Sequence, residues 1–338
     1  MNLPGLQNPS MCQLLRTLLL AITAQWLFIS SSALAADVAA PSSAQTTAEV
    51  TDGRALLPER QALNAAALQR SLPEAEQQTL QTPEESFLAL WRLANSATAR
   101  GVVILLHGDG ESADWPMTIG PLRTRLPDAQ WHTLSLSLPD PPSAHSVAAP
   151  PTEAVDAPDN AEVPQASAEN TAVSPTELQQ AYAARISARL SSAIAFATAS
   201  KPDEIVLLGH GSGAFWAAGF LSQNDKAGVT RLALINPKIP EGATPPFEES
   251  LPALRLAIGD FYFMAPTEQA LAEQRQQASI RSQHPAYQQT ALNALPGNPE
   301  VEQEQLYRRL RGWLDKPATP PDAADKVKPP STLPQRKP

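Results

Sequence analysis

Gly101–Leu106 reads GVVILL, with no polar side chain in the run; such a run predicts a strand covered on both faces. Phe87–Trp91, Trp131–Leu138, Glu204–Leu208, Val229–Ile235, Ala253–Ile258 and the weaker Gln289–Leu295 predict further strands. Between them the period lengthens. Leu178, Tyr182, Ile186, Leu190 and Ile194 recur every four residues, the stripe of an amphipathic helix. Ser174-Pro175-Thr176-Glu177 opens it with a capping box and a proline at the first helical position. Phe215–Leu221 and Pro299–Leu314 also read as helices. So does Arg54–Gln81, where Leu56, Leu63 and Leu68 have helical spacing and Pro58 and Pro73 mark turns. Strands alternating with helices predict an α/β protein, a mostly parallel central sheet with helices on both faces.

The pattern lapses in several stretches. Residues 36–53 are rich in Ala, Ser and Thr without periodicity and read as a linker. Residues 139–176 hold eight prolines, six acidic residues, no Lys or Arg and no aromatic residue. Such a segment cannot bury enough surface to offset the entropy of ordering it, so it is expected to be a disordered insert inside a domain spanning 54–315. The tail 316–338 is expected to be disordered too, with five Lys or Arg and two Asp among its prolines. At the other end, Arg16 precedes the mostly apolar Leu18–Ile29, followed by Ala33-Leu34-Ala35. This is the pattern of a secretory signal cleaved after Ala35, since the apolar run is short for a membrane span. The expected product is periplasmic, with no stable transmembrane segment after cleavage.

Composition narrows the chemistry. The chain of 338 residues carries a net charge of −9, which becomes −10 when Arg16 leaves with the signal; that balance argues against a nucleic-acid partner. The one cysteine, Cys12, would leave as well, so neither a disulfide nor a thiolate metal site supports the mature fold. No metal or cofactor is expected.

The candidate chemistry centres on Leu207-Leu208-Gly209-His210-Gly211-Ser212-Gly213-Ala214. A strand-to-helix turn that presents a nucleophile needs small residues two before and two after it, because strand and helix backbones approach closely there. Gly209 and Gly213 satisfy this around position 211, and position 211 is glycine. They do not satisfy it around Ser212, whose flanks at that spacing are His210 and Ala214. Ser212 therefore reads as a helix-start residue, with off-register nucleophile as the alternative. His107-Gly108-Asp109, directly after the first long strand, is the candidate oxyanion-hole-like loop. Asp260 stands just past the Ala253–Ile258 strand, where the acid of a triad often lies, and is read equally as a loop carboxylate. A base should follow the last strand; Leu295–Glu300 contains no histidine, and His284 precedes that strand. Gly209-x-Gly211-x-x-Ala214 also fits a dinucleotide-binding fingerprint, but the next strand ends Leu234-Ile235-Asn236-Pro237 without the acidic residue a ribose needs.

The stretches FLALWRLA, GVVILLHGDG, ADWPMTIGPLRTRLPDAQWHTLSLSLPDPP and IVLLGHGSGAFWAAGFL together resemble an exported bacterial family, a domain of unknown function numbered 3530. The resemblance covers roughly residues 54–315 and is most specific at Asp114-Trp115-Pro116 and at the Gly-His-Gly turn. It implies an α/β-hydrolase fold and an exported compartment. It also implies that glycine in the nucleophile slot is shared by relatives, and it implies no reaction. The reading that follows is a binding or envelope-associated protein with a degenerate triad, taking an unidentified small-molecule or envelope ligand. The alternatives are an acyl-ester or amide hydrolase using Ser212, His284 and Asp260, and an envelope interaction protein using its charged tails.

Overall fold

Along β3 (Gly101–Leu106) the side chains divide by parity. Val102, Ile104 and Leu106 join one buried cluster, Val103 and Leu105 the other. This is why the run carries no polar position: the strand has helices on both sides. The computed structural model describes residues 59–142, 174–224 and 227–318. The expected signal segment 1–35 and linker 36–53, the bulk of the expected 139–176 insert and the tail past 318 lie outside the described residues.

Among the described residues, β1 (Gln77–Gln81), β2 (Ser86–Arg92), β3, β4 (Trp131–Leu136), β5 (Glu204–His210), β6 (Arg231–Ile235), β7 (Ala257–Phe263) and β8 (Tyr287–Leu292) form one sheet in the order β1-β2-β4-β3-β5-β6-β7-β8. The pairs β1/β2 and β2/β4 are antiparallel, and every other pair is parallel. One face carries α3 (Pro175–Ala199) and α4 (Ser212–Gln223), which bury Tyr182, Ile186, Leu190 and Phe215. The other carries α2 (Ile119–Arg125) and α7 (Pro299–Leu314), which bury Ile119, Leu122, Leu306, Leu310 and Trp313. Each such side chain taken from water contributes about 1.5–3 kcal/mol. The capping box forms: Glu177 N–H donates to Ser174 Oγ at 3.2 Å and Ser174 N–H to Glu177 Oε2 at 2.9 Å. No helix among the described residues is long and apolar enough to cross a membrane.

The structure corrects several expectations. The helix expected over Arg54–Gln81 is α1 (Arg60–Ser71), and Gln77–Gln81 is instead the edge strand β1. Pro73 forces Leu72 into extended backbone, φ −102° and ψ 154°, and so stops the helix. The expected strand 253–258 lies later, at β7, so Asp260 is inside the strand rather than beyond it. A charge in mid-strand is tolerated because it is fully paired, as described below. The edges of the insert are also ordered. Residues 139–142 are described, Asp140 accepts from Gln61 N–H at 2.9 Å, and 175–176 open α3. The helices α2, α5 (Phe247–Ser250) and α6 (Pro266–Arg281) were not foreseen. In α6 only Ala272, Arg275, Ala278 and Ser279 are buried, so it has no apolar stripe to read.

Arg231, at the start of β6, fastens the end of α7 to the sheet. Its guanidinium pairs with Glu204 at 2.7 Å and donates to the carbonyls of Trp313 at 3.2 Å and Lys316 at 2.6 Å. A cation at a helix C-terminus meets the negative end of the helix dipole.

Candidate functional site

The turn from β5 into α4 is fixed by backbone contact. A Cβ on Gly209 would lie 2.4 Å from Ala214 Cα, and one on Gly213 would lie 2.5 Å from the His107 carbonyl oxygen. No side chain fits at either position. Gly211 is the apex, with φ 56° and ψ −125°. It is held by its N–H donating to Ile235 O and by Lys238 N–H donating to its carbonyl, both at 3.0 Å. Here there is room. A Cβ on Gly211 would make only ordinary contact, 3.6 Å from Gly108 Cα. The backbone is that of a nucleophile elbow, and the residue at its apex has no side chain.

The loop after β3 closes over this turn. His107 is buried, 2 % exposed. Its Nδ1 lies 2.8 Å from Gly108 O, and Leu138 N–H donates to Nε2 at 3.1 Å. These bonds fix the tautomer, with Nδ1 protonated. Burial pushes its pKa down to about 4, so the ring stays neutral and acts as a brace between the loop and the end of β4. Asp109 N–H donates to Ser212 Oγ at 2.8 Å. Gly108 N–H donates to Glu111 Oε2 at 2.7 Å, and the same oxygen lies 2.8 Å from His210 Nδ1. Burial works against a charge on Glu111, but the bonds from His210 and Gly108 outweigh it and hold the carboxyl below its usual range. Buried Gln61 on α1 donates to Glu111 O at 2.5 Å. The Gly108 and Asp109 amides of this loop therefore donate to oxygens of the protein itself.

Glu111 is the residue the sequence reading missed. The available signal was a carboxylate four residues past His107, within the same turn, and nothing in one sequence places it beside His210. Ser212 lies in the site but is 5 % exposed, with its oxygen accepting from Asp109. Asp260 and His284 are not brought to it. Asp260 is fully buried opposite Leu234 and Gln289. It takes Arg275 in two bonds of 2.8 and 3.1 Å, Tyr287 Oη–H at 2.6 Å and Gln289 Nε2 at 2.9 Å. Its oxygens are satisfied by structural partners. His284 precedes β8, whose first residue pairs with Ile258 near the start of β7. It is thus at the amino ends of the parallel strands, whereas the elbow is at their carboxyl ends, about 20 Å away along a strand of seven residues. Ala286 N–H donates to its Nδ1 at 3.2 Å, and its Nε2 is buried without a partner among the described residues. The residues after β7, Met264-Ala265-Pro266, and after β8, Asn293–Asn298, include no acid and no histidine. Among the described residues no cluster of His, Cys, Asp or Glu could hold a metal ion.

A mostly parallel eight-stranded sheet in this order, with an elbow after β5 and an amide-bearing loop after β3, defines an α/β-hydrolase fold. The chain itself belongs to the family described as proteins of unknown function, DUF3530, which it matches over residues 17–316. No curated protein sequence matches it. Among solved structures it is similar to a putative dienelactone hydrolase from Klebsiella pneumoniae at 12 % identity and a TM-score of 0.49, covering 71 % of this chain and 98 % of that one. An esterase from Pyrococcus furiosus is similar at 12 % identity and a TM-score of 0.47, covering 70 % and 88 %. A dienelactone hydrolase from Anabaena variabilis is similar at 14 % identity and a TM-score of 0.47, covering 71 % and 97 %.

Proposed function

We propose that this is a periplasmic binding protein built on an α/β-hydrolase fold, with a degenerate triad, that holds a ligand in the cleft beside Gly211 without turning it over. The observation that carries the reading is the elbow: its backbone is retained, its apex is glycine, and the loop amides around it are engaged by Glu111 and Ser212. Acyl transfer needs a side-chain nucleophile, a base within hydrogen-bond reach and free donors for the developing oxyanion. Ser212 and Asp260 are engaged by partners within the protein, and His284 lies at the opposite ends of the strands from the elbow, so the three do not supply them. The compartment follows from the signal sequence alone, and fractionation of cells expressing the full chain tests it.

The enzymatic test uses purified mature protein with short p-nitrophenyl esters and a serine-reactive fluorophosphonate. No turnover above background and no labelling are expected. Turnover abolished by Ser212→Ala would overthrow the reading.

A further inference from the structure

Glu111 and His210 bond to each other through one oxygen and one nitrogen, and each has a second polar atom left over. Glu111 Oε2 takes Gly108 N–H at 2.7 Å and the His210 Nδ1 proton at 2.8 Å. Those bonds hold the carboxyl ionised, so the shared proton sits on Nδ1 and His210 Nε2 keeps a free lone pair. Neither Glu111 Oε1 nor Nε2 has a hydrogen-bond partner among the described residues. The side-chain atoms there that are both buried and without a partner are Trp131 Nε1, Trp216 Nε1 and His284 Nε2. The two leftover atoms of the pair are not among these, so both are open to solvent, although their side chains are mostly covered.

Charge and space then narrow the partner. Among the described residues no Lys or Arg pairs with Glu111, and Arg60, beside Gly110, is committed to Asp140 at 3.3 Å. The pair therefore presents two acceptors and a negative charge that no cation of the protein answers. Next to it, Gly108 and Gly211 face each other. A Cβ on Gly211 would meet Gly108 Cα alone, at 3.6 Å, so a slot with backbone walls adjoins the two acceptors. Glycine lets a ligand come close to the main chain. A hydroxyl brings one proton and no charge, and a quaternary ammonium brings charge and no proton. A metal ion wants more ligands than this pair, and no cluster of His, Cys, Asp or Glu among the described residues supplies them. A primary ammonium brings three protons and a full charge on one atom, and hydrogen bonds between charged groups are the strong ones.

We infer that Glu111 Oε1 and His210 Nε2 bind the primary ammonium group of a small amine, whose first carbon lies in the slot between Gly108 and Gly211. This deepens the proposed function by naming its ligand class, and it rests on that reading in taking the cleft beside Gly211 as a binding place. The apex glycine then has a positive role, because a side chain there would stand where the ligand's carbon goes.

The test is a titration of nitrogen-15-labelled mature protein, followed by NMR through its imidazole resonances at mildly alkaline pH, where an alkylamine is still charged. Butylammonium, tetramethylammonium and butanol are the probes. Butylammonium is expected to shift the His210 signals, recognised by their loss in His210→Gln, with a dissociation constant in the millimolar range. The other two should bind at least about tenfold more weakly, since each lacks either the protons or the charge. Glu111→Gln keeps the shape of the side chain and removes its charge, while Gly211→Ala fills the slot. Each should weaken butylammonium about tenfold. A melting curve establishes that each variant is folded, and because they alter different sides of the site, either one decides. The inference falls if butylammonium leaves the His210 signals unmoved, if tetramethylammonium or butanol moves them equally, or if a folded variant binds as the wild type does. Ester turnover would defeat the proposed function and leave the titration standing; unmoved signals without turnover would defeat the inference alone.

Discussion

The β5–α4 turn and the β7–β8 edge each contain an ionisable cluster, and each occupies a place from which a hydrolase draws a catalytic group. At the turn, Glu111 and His210 remain partly open, 15 % and 16 % exposed, beside a glycine apex. At the edge, Asp260 is fully buried and saturated by Arg275, Tyr287 and Gln289. Their backbones also differ in what constrains them. The turn is held by close approach of Gly209 and Gly213 to neighbouring backbone. The loops after β7 and β8 have no comparable constraint and carry no acid or histidine. An elbow's shape belongs to packing and persists without chemistry, whereas its chemistry depends on single side chains contributed from elsewhere.

Breaking the edge should have the largest effect. Asp260→Ala leaves the Arg275 guanidinium buried and unpaired, and removal of one partner from such a pair costs about 3–5 kcal/mol. Urea unfolding should show this loss. A change below about 1 kcal/mol would mean that the cluster is hydrated and that the contrast with the turn is overdrawn.

The turn has its own buried group, and it responds to acid. His107 has a pKa near 4 in the fold against an ordinary 6.5. Between those values the unfolded chain binds more protons, so stability is complete above pH 6.5 and declines as the pH falls to 4, by about 3 kcal/mol. Burial lowers His132 and His284 in the same direction. Glu85 acts in a separate window. Burial raises its pKa, but bonds from Arg189 and Arg185 prevail and bring it to about 2, so its contribution is lost only below 4.5. Denaturation at fixed pH steps should therefore show a decline above pH 4.5 that His107→Gln flattens. A slope untouched by that substitution would assign it to the other histidines.

The smallest effect is expected at the apex. Gly211→Ser has room for its side chain but keeps positive φ, which costs about 1 kcal/mol. The variant should fold and remain inactive on esters. Adding Asn298→His places a histidine after the last strand but removes the α7 cap, since Asn298 Oδ1 accepts from Val301 N–H at 3.4 Å, so a further loss of about 1 kcal/mol should follow. Efficient esterase activity in the single variant would show that His210 and Glu111 can serve as a base.

The architecture was legible where pattern and packing coincide. GVVILL announced a doubly covered strand, the Ser174–Glu177 box announced α3, and the glycines at 209 and 213 announced the elbow with position 211 at its apex. Elements governed by tertiary contacts were not legible. β1 reads as helix until Pro73 is followed by strand pairing, α6 has no apolar stripe, and β7 contains a charge that Arg275, Tyr287 and Gln289 together make acceptable. In the site, Glu111 was invisible because its role depends on His210, which is 99 residues distant along the chain.

The anchorage of α7 by Arg231 bears on how the molecule can be tethered. Arg231, Glu204 and Arg100 stand at the amino ends of the strands, and Arg100 also grips Asp315 at 2.6 Å. Lys316 therefore lies at the end of the sheet opposite the elbow. A molecule immobilised through the Lys316 side chain is held by its back and presents the cleft to solution, while a tether at Lys238, whose N–H donates to the apex carbonyl, would hold it by its mouth.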